Sequence, residues 1–377
     1  MSRNPSISQS VDTSLLRGVK FKCLDRCQLC CLCQPELAGN EVDMFLKKYS
    51  NLVCRKTIPH DHYAIRLQKG QGPCSFLNNR KCSIYDMRPY FCRQFPTHFH
   101  VLNRIQIIVD LSCRGVWTNY GEDLEAMALE MANSNLATLI EVLDDSRVVY
   151  CDFVSNCVDA GIWRKPVELQ KEIDESFDRL LDVKFLARML DMTIEKSELS
   201  IVEVNKSDQD IKYDDIVDAA MEATLGSIGV SRIVDAPIYC DEEGNWNVFY
   251  LKNKKIIWYR LNDDGSLEQT ESIDPRDVEL ILPDASAKRI LAWYLSILNK
   301  RDSTFGYACY LVDQYKYEDF LSNVYFGIIG TALLDLLFRS SLLIRIKGGK
   351  LDENLMKEAI IFFDMDLLDA PTIGAYV

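Results

Sequence analysis

The stretch Phe21-Lys22-Cys23-Leu24-Asp25-Arg26-Cys27-Gln28-Leu29-Cys30-Cys31, followed by GPCSFLNNRKCSIYDMRPYFCRQFP over residues 72–96, decides how this chain is read. The first block has the pattern Cys23-x3-Cys27-x2-Cys30-Cys31, with Cys33 two residues on. The second places Cys74, Cys82 and Cys92, and Cys113 follows. Ten of the 14 cysteines fall within the first 113 residues. Thiolates are the ligands that hold zinc and iron–sulfur clusters. Lys22, Asp25, Arg26 and Gln28 interrupt any apolar face in the first block, so these cysteines do not read as small buried hydrophobes. The candidate metal ligands are Cys23, Cys27, Cys30, Cys31, Cys74, Cys82, Cys92 and Cys113, with Cys33 and Cys54 as further possibilities. Eight thiols can supply two four-thiolate centres, or one cluster and one zinc, and soft ligands suit both metals.

Two bland readings compete. Core packing suits the scattered Cys151, Cys157, Cys240 and Cys309. A disulfide framework belongs to small secreted domains, whereas this chain has 377 residues and a polar opening, MSRNPSISQSVDTS, without an apolar signal segment. A reducing, cytoplasmic location is therefore expected, where clustered cysteine means metal or redox work. The energetics agree. Closing the loop of roughly forty residues between the two blocks costs on the order of 3 kcal/mol, and a structural zinc returns about 10–16 kcal/mol.

Composition is that of a globular protein, 48% hydrophobic and 26% charged. The net charge of −13 conceals an asymmetry: residues 1–115 carry 17 Lys and Arg against 8 Asp and Glu, and the remainder 26 against 48. Cations near thiols lower their pKa values. A nucleic-acid partner is disfavoured, because no helix gathers Lys and Arg on one face and no aromatic ladder appears. The expected partner is another protein. The most apolar run, Val324 to Phe338, is too short to span a bilayer and contains Asp335, so no membrane association is expected.

The expected fold is α+β: a small metal-bound cysteine module, a mainly helical body and a short antiparallel meander. Residues 1–15 read as a disordered tail and 16–118 as the cysteine module. Residues 119–230 read as a helical region, 231–282 as the meander and 283–377 as a second helical region. Within the module, Glu41 to Tyr49 has helical spacing, and Tyr63 to Leu67 and Arg104 to Leu111 read as strands. The second block is expected between those strands as loops with a helical turn near Asp86 to Phe91. A long helix fits Pro166 to Ile194 and another Tyr213 to Leu225. Strands fit Ile238 to Cys240, Asn247 to Leu251, Ile256 to Arg260 and Ser266 to Glu271, separated by turn residues. Asp284 or Ser286 can cap a helix carrying Ile290, Trp293, Ile297 and Leu298. Gly348-Gly349 should end the apolar helix at 320–345, and a last helix covers Asp352 to Leu368. Tyr307, Tyr310, Tyr315, Tyr317 and Phe320 are expected to pack in the core.

The cysteine blocks also carry a resemblance. Cys74, Phe76, Leu77; Cys82, Ile84, Tyr85; Arg88, Pro89; and Cys92, Arg93, Phe95, Pro96 resemble the C-x-F-L … C-x-I-Y … R-P … C-R-x-F-P run of the YkgJ-like cysteine-cluster family, named for zinc or iron chelation. That family also opens on a Cys-rich block ending in Cys-Cys. The resemblance covers roughly residues 20–115 and leaves the other two thirds unexplained. One departure is the three residues between Cys23 and Cys27, where many members have two. Pro89 and Pro96 rigidify the loop presenting Cys92. Arg88 and Arg93 are candidate cofactor-binding residues, able to hydrogen-bond to sulfurs or an anionic ligand, or else to pair with carboxylates. All four histidines, His60, His62, His98 and His100, lie in this module, and one could replace a thiolate.

Three functions follow. The first is a metal-binding protein with an iron–sulfur cluster or zinc centre serving redox chemistry, metal handling or assembly. The second is a protein-lysine methyltransferase-like enzyme using S-adenosylmethionine, implied by a distant resemblance to flagellin lysine N-methylases. The third is a structural zinc module of an interaction protein. Cys23-x3-Cys27-x2-Cys30 is also the spacing of radical S-adenosylmethionine enzymes, but Leu29 stands where an aromatic is usual and no strand–helix series follows. No phosphate-binding loop or G-x-S-x-G occurs. A substrate pocket, if there is one, is expected between the cysteine module and the helical part.

Overall fold

Thr97–Val101 and Ile105–Val109 form an antiparallel hairpin in which Phe99 pairs with Ile107 and Val101 with Ile105. All of Ile105–Val109 is buried, as expected for a strand covered on both faces. The computed structural model describes residues 11–57, 61–70, 72–192, 197–204 and 211–377. Two strands from distant parts of the chain complete this sheet. Val11–Asp12 adds in parallel to Ile105–Val109, and Ala375–Tyr376 adds antiparallel to Thr97–Val101. Residues 11–15, expected in a disordered tail, are therefore ordered: they hold the parallel edge strand and the start of the turn Ser14–Leu16, whose Leu16 is buried.

Around this sheet the second cysteine block folds as turns. A two-residue hairpin, Leu77–Asn78 with Lys81–Cys82, reverses at Asn79 and Arg80, both in the left-handed region. The turn Tyr85–Met87 and the helix Tyr90–Gln94 follow. The helix Gly39–Tyr49 and the hairpin Val53–Lys56 with His62–Ile65 flank the first block. Leu37, Phe45, Val53, Ile65, Phe76 and Ile84 make a small core of their own there.

The body is helical. The expected helix Pro166 to Ile194 is broken: Pro166–Glu175, Phe177–Leu180 and Val183–Met192 are separate, and Ser176 leaves helical dihedrals at φ −106°, ψ 11°. The breaks re-aim Leu180, Val183, Phe185 and Leu186 into the core. At the centre lies Leu321–Lys347, 27 residues long. By length and composition it could cross a membrane, longer than the Val324–Phe338 run suggested, yet 89% of its most apolar window is buried inside the fold. A helix apolar all round is at home in a core. Its two buried charges pair, Arg339 Nε reaching Asp335 Oδ1 at 2.9 Å, and Arg339 also meets Asp366 of the last helix at 2.5 Å. Gly348, at φ 77°, ends it.

Asp284 caps Ala285–Lys300 by accepting from the amides of Ser286 and Ala287, and Asp352 caps Glu353–Leu368 in the same way. The meander Ile238–Cys240, Trp246–Lys252, Lys255–Leu261 and Leu267–Ile273 is antiparallel in sequential order. Tyr307, Tyr317 and Phe320 pack on the core as expected, whereas Tyr315 is exposed.

The chain is thus α+β, but the cysteine segment is not a small separate body. Phe99, Ile105 and Ile107 of its hairpin share one continuous core with Phe326, Leu337 and Phe362 of the helices. A second cluster joins Leu29, Leu32 and Leu77 to Ala236, Trp246, Val248 and Leu261 of the meander. The meander thereby seats on the first cysteine block.

Candidate metal centre

The first block is a tight coil. Arg26 (φ 69°) and Gln28 (φ 43°) adopt the left-handed region, and Leu29–Cys31 makes one 3-10 turn. This coiling turns Cys23, Cys27, Cys30 and Cys31 toward a common space while Leu29 is anchored in the joint with the meander. The Cys74 amide donates to the Cys31 carbonyl at 2.7 Å, tying the second block to the first. Gly115 permits the close pass of the opening strand: a Cβ there would stand 2.4 Å from the Lys22 carbonyl oxygen.

The result is one cavity of about 100 Å3 whose wall includes Cys23, Cys27, Cys30, Cys31, Cys33, Cys74, Cys82, Cys92 and Cys113. All eight thiols singled out from sequence are brought together, and Cys33 joins them. Apolar side chains, Phe21, Leu24, Ile65, Phe76, Ile84 and Phe95, fill the gaps between sulfurs. All 14 cysteines are free thiols. Among the described residues no three Cys, His, Asp or Glu side chains converge on a single metal-sized point. The thiols line a space rather than clasp a point.

Electrostatics divides them. Burial raises Cys23, with the charges of Cys30 and Cys27 adding, to about 11, and burial raises Cys74 to about 11. Burial also pushes up Cys92 and Cys113. Cys31 is raised first by its hydrogen bond to Cys30, and that bond lowers Cys30. Cys27 is held down to about 7, first by a hydrogen bond with the Cys240 thiol and then, against burial, by the Leu29 amide and the cations Arg114 and Arg80. Metal binding needs thiolates, and Cys27 and Cys30 are the first to supply them.

The other expected site residues divide as well. Arg88 lines the cavity, with its guanidinium 3.8 Å from the Tyr85 ring centroid and Nε donating to the Tyr85 carbonyl at 3.0 Å. Arg93 does not line it. Half exposed, it reaches Glu41 at 3.5 Å, the carboxylate that also accepts from the Tyr90 amide. Cys54 is elsewhere, donating to the Ala64 carbonyl at 3.4 Å. His62 faces Glu36, His98 faces Asp110 and His100 faces Thr372, none of them on the cavity wall; His60 lies outside the described residues. Of the four cysteines assigned to core packing, Cys157 and Cys309 are in the main core and Cys151 is exposed. Cys240 is buried beside Cys27. Local sequence gave no sign of that contact, since a single buried cysteine at a strand end reads as packing.

A groove of about 670 Å3 lies where the cysteine segment, the meander and the last helix meet, at the junction expected for a pocket. Leu29 and Cys33 line both the groove and the thiol cavity, and Asp366 and Asp369 stand on its far side.

A donor set of nine thiols in an apolar, cation-flanked cavity fits a thiophilic metal. Residues 22–114 match the CxxCxxCC family model, described as "Putative zinc- or iron-chelating domain". Over this segment the chain is similar to that family. The matched span begins one residue before Cys23 and ends one after Cys113, so it encloses every thiol on the cavity wall. It covers about a quarter of the chain, and the helical body and meander lie beyond it. No curated protein and no solved structure matches the chain.

Proposed function

We propose that this is a metal-binding protein whose CxxCxxCC cavity holds a thiolate-ligated iron–sulfur centre. The observation that carries the reading is the number of thiols on one space. A structural zinc is closed by four ligands in tight tetrahedral packing, whereas nine cysteines here surround a cavity of about 100 Å3. That is well above the ~10–15 Å3 a single water requires. Such a wall suits an occupant larger than one ion, and the apolar side chains between the sulfurs would shield it from water. Arg88 would offset thiolate charge. The cluster would supply electron transfer or Lewis acidity; the chain supplies the ligands, the dry wall and the cations. The methyl-transfer reading rests on resemblance alone and forms no part of this proposal.

The test is anaerobic purification followed by visible spectroscopy with iron, sulfide and zinc analysis. Iron and acid-labile sulfide with a broad visible band are expected. Zinc alone in a colourless protein would replace the cluster by a chelating zinc site, and a metal-free protein that takes up neither metal would overturn the proposal.

A further inference from the structure

We infer that Cys240, on the first strand of the meander, is a ligand of the same centre beside Cys27, so that the site is completed from outside the CxxCxxCC segment. The inference rests on the metal reading above and adds a residue that the family span does not contain.

Cys240 is fully buried. Its thiol donates to the Cys27 carbonyl oxygen across 3.7 Å. Cys27 is itself on the cavity wall. Cys240 is not on that wall but stands directly behind it, against the Cys27 backbone, while the second cysteine block is tied to the first by the bond from the Cys74 amide to the Cys31 carbonyl.

The scaffold around this pair fixes the backbone of both cysteines. Trp246 Nε1 donates to the Cys27 carbonyl at 2.7 Å, and Arg114, the residue after Cys113, donates from Nε to the Cys240 carbonyl at 2.7 Å. Arg80 stacks on Trp246, 3.4 Å from the ring, and bridges the two loops by donating to the carbonyls of Arg26 and Gly244, each at 3.1 Å. Gly244 allows the contact, since a Cβ there would stand 2.9 Å from the Arg26 carbonyl oxygen. Fixing a ligand by hydrogen bonds from neighbouring groups is how outer residues orient metal donors. The meander thus has a chemical role as well as a structural one: it carries a thiol to the centre.

The experiment compares metal-loaded full-length wild type, Cys240→Ser, Cys240→Ala and Cys309→Ser for metal content per folded chain, affinity in a chelator competition, and sulfur-to-oxygen coordination by X-ray absorption. Circular dichroism establishes folding for each. Cys240→Ser should weaken metal affinity by at least the ~10–100-fold typical of losing an outer-shell partner, and its absorption spectrum should show fewer sulfur neighbours. Cys309→Ser should match wild type. Should the alanine variant fail to fold, the near-isosteric serine variant still gives the sulfur count. Wild-type metal content, affinity and sulfur count in Cys240→Ser would overturn the assignment and leave the metal reading intact. A wild-type protein that binds no metal would overturn both.

Discussion

Asp364→Asn should destabilise the fold by about 3–5 kcal/mol, the cost of breaking a buried ion pair by neutralising one partner. Asp364 is fully buried and Arg301 is 1% exposed. Arg301 grips the carboxylate with two nitrogens, at 2.7 and 2.8 Å, and donates to the Val109 carbonyl at 2.9 Å. The same carboxylate accepts from the Leu111 amide at 2.7 Å and the Tyr294 hydroxyl at 2.7 Å. A carboxylate can accept on both oxygens, whereas an amide accepts on one and donates from the other. Asparagine would thus point an N–H at either the guanidinium or the Leu111 amide and leave Arg301 charged, buried and without its counter-ion. Because the strand so held runs on to Cys113, metal retention should fall as well. Urea unfolding followed by circular dichroism measures the cost as a lower midpoint at unchanged slope. A loss below about 1 kcal/mol, the size of an exposed ion pair, would refute the argument. The double variant Arg301→Met with Asp364→Leu removes the stranded charge but leaves the Leu111 amide, the Tyr294 hydroxyl and the Val109 carbonyl without these partners, so it should recover only part of the loss.

Other outcomes follow from the site. Gly115→Ala should cost about 1–3 kcal/mol through overpacking, because its Cβ would meet the Lys22 carbonyl at 2.4 Å, while Gly39→Ala, with nothing within 4 Å, should be neutral; equal melting temperatures for the two would contradict this. In metal-free protein, iodoacetamide should label Cys27 with a midpoint near pH 7 while Cys74, at about 11, stays protonated and unreactive there. The sign follows from the lowered value: Cys27 gains its charge, and its reactivity, as pH rises through 7, and loses both below it. Peptide mass spectrometry reads this directly, and a Cys27 profile centred near the ordinary thiol value would contradict the hydrogen bond from Cys240. Cys30→Ser or Cys92→Ser should lose metal and destabilise the cysteine segment while Cys309→Ser keeps its metal; full metal content in both of the first two would remove them from the ligand set.

Much of this organisation was legible because it is written in short-range chemistry. The eight thiols, the cap at Asp284, the glycine stop at Gly348 and the turn-separated meander all declare themselves within a few residues. What stayed hidden depends on partners far apart in the chain. Thr97–Val101 mixes histidines with apolar residues and is assigned no element from sequence; it is a strand paired with Ala375–Tyr376 on one side and Ile105–Val109 on the other. The Val11–Asp12 strand is ordered by Ile105 and Gln106. The break at Ser176 is set by which apolar residues must face the central helix, since the periodicity through it is continuous. Cys240 differs from an inert cysteine only through Cys27, which stands far upstream in the chain.

The four-stranded sheet has a practical meaning for anyone wishing to isolate the cysteine segment. A fragment cut at residues 22–114 would retain the central hairpin but neither neighbour, losing Val11–Asp12 from one side and Ala375–Tyr376 from the other. Both borders of that hairpin would then present unpaired amides and carbonyls, the surface on which strands of separate molecules join. The Gln94 side chain would lose the Val377 carbonyl, to which it donates at 2.9 Å. The span that matches the family model is therefore shorter than the span that folds as one. A soluble, correctly loaded minimal version should have to bring the two ends of this chain with it.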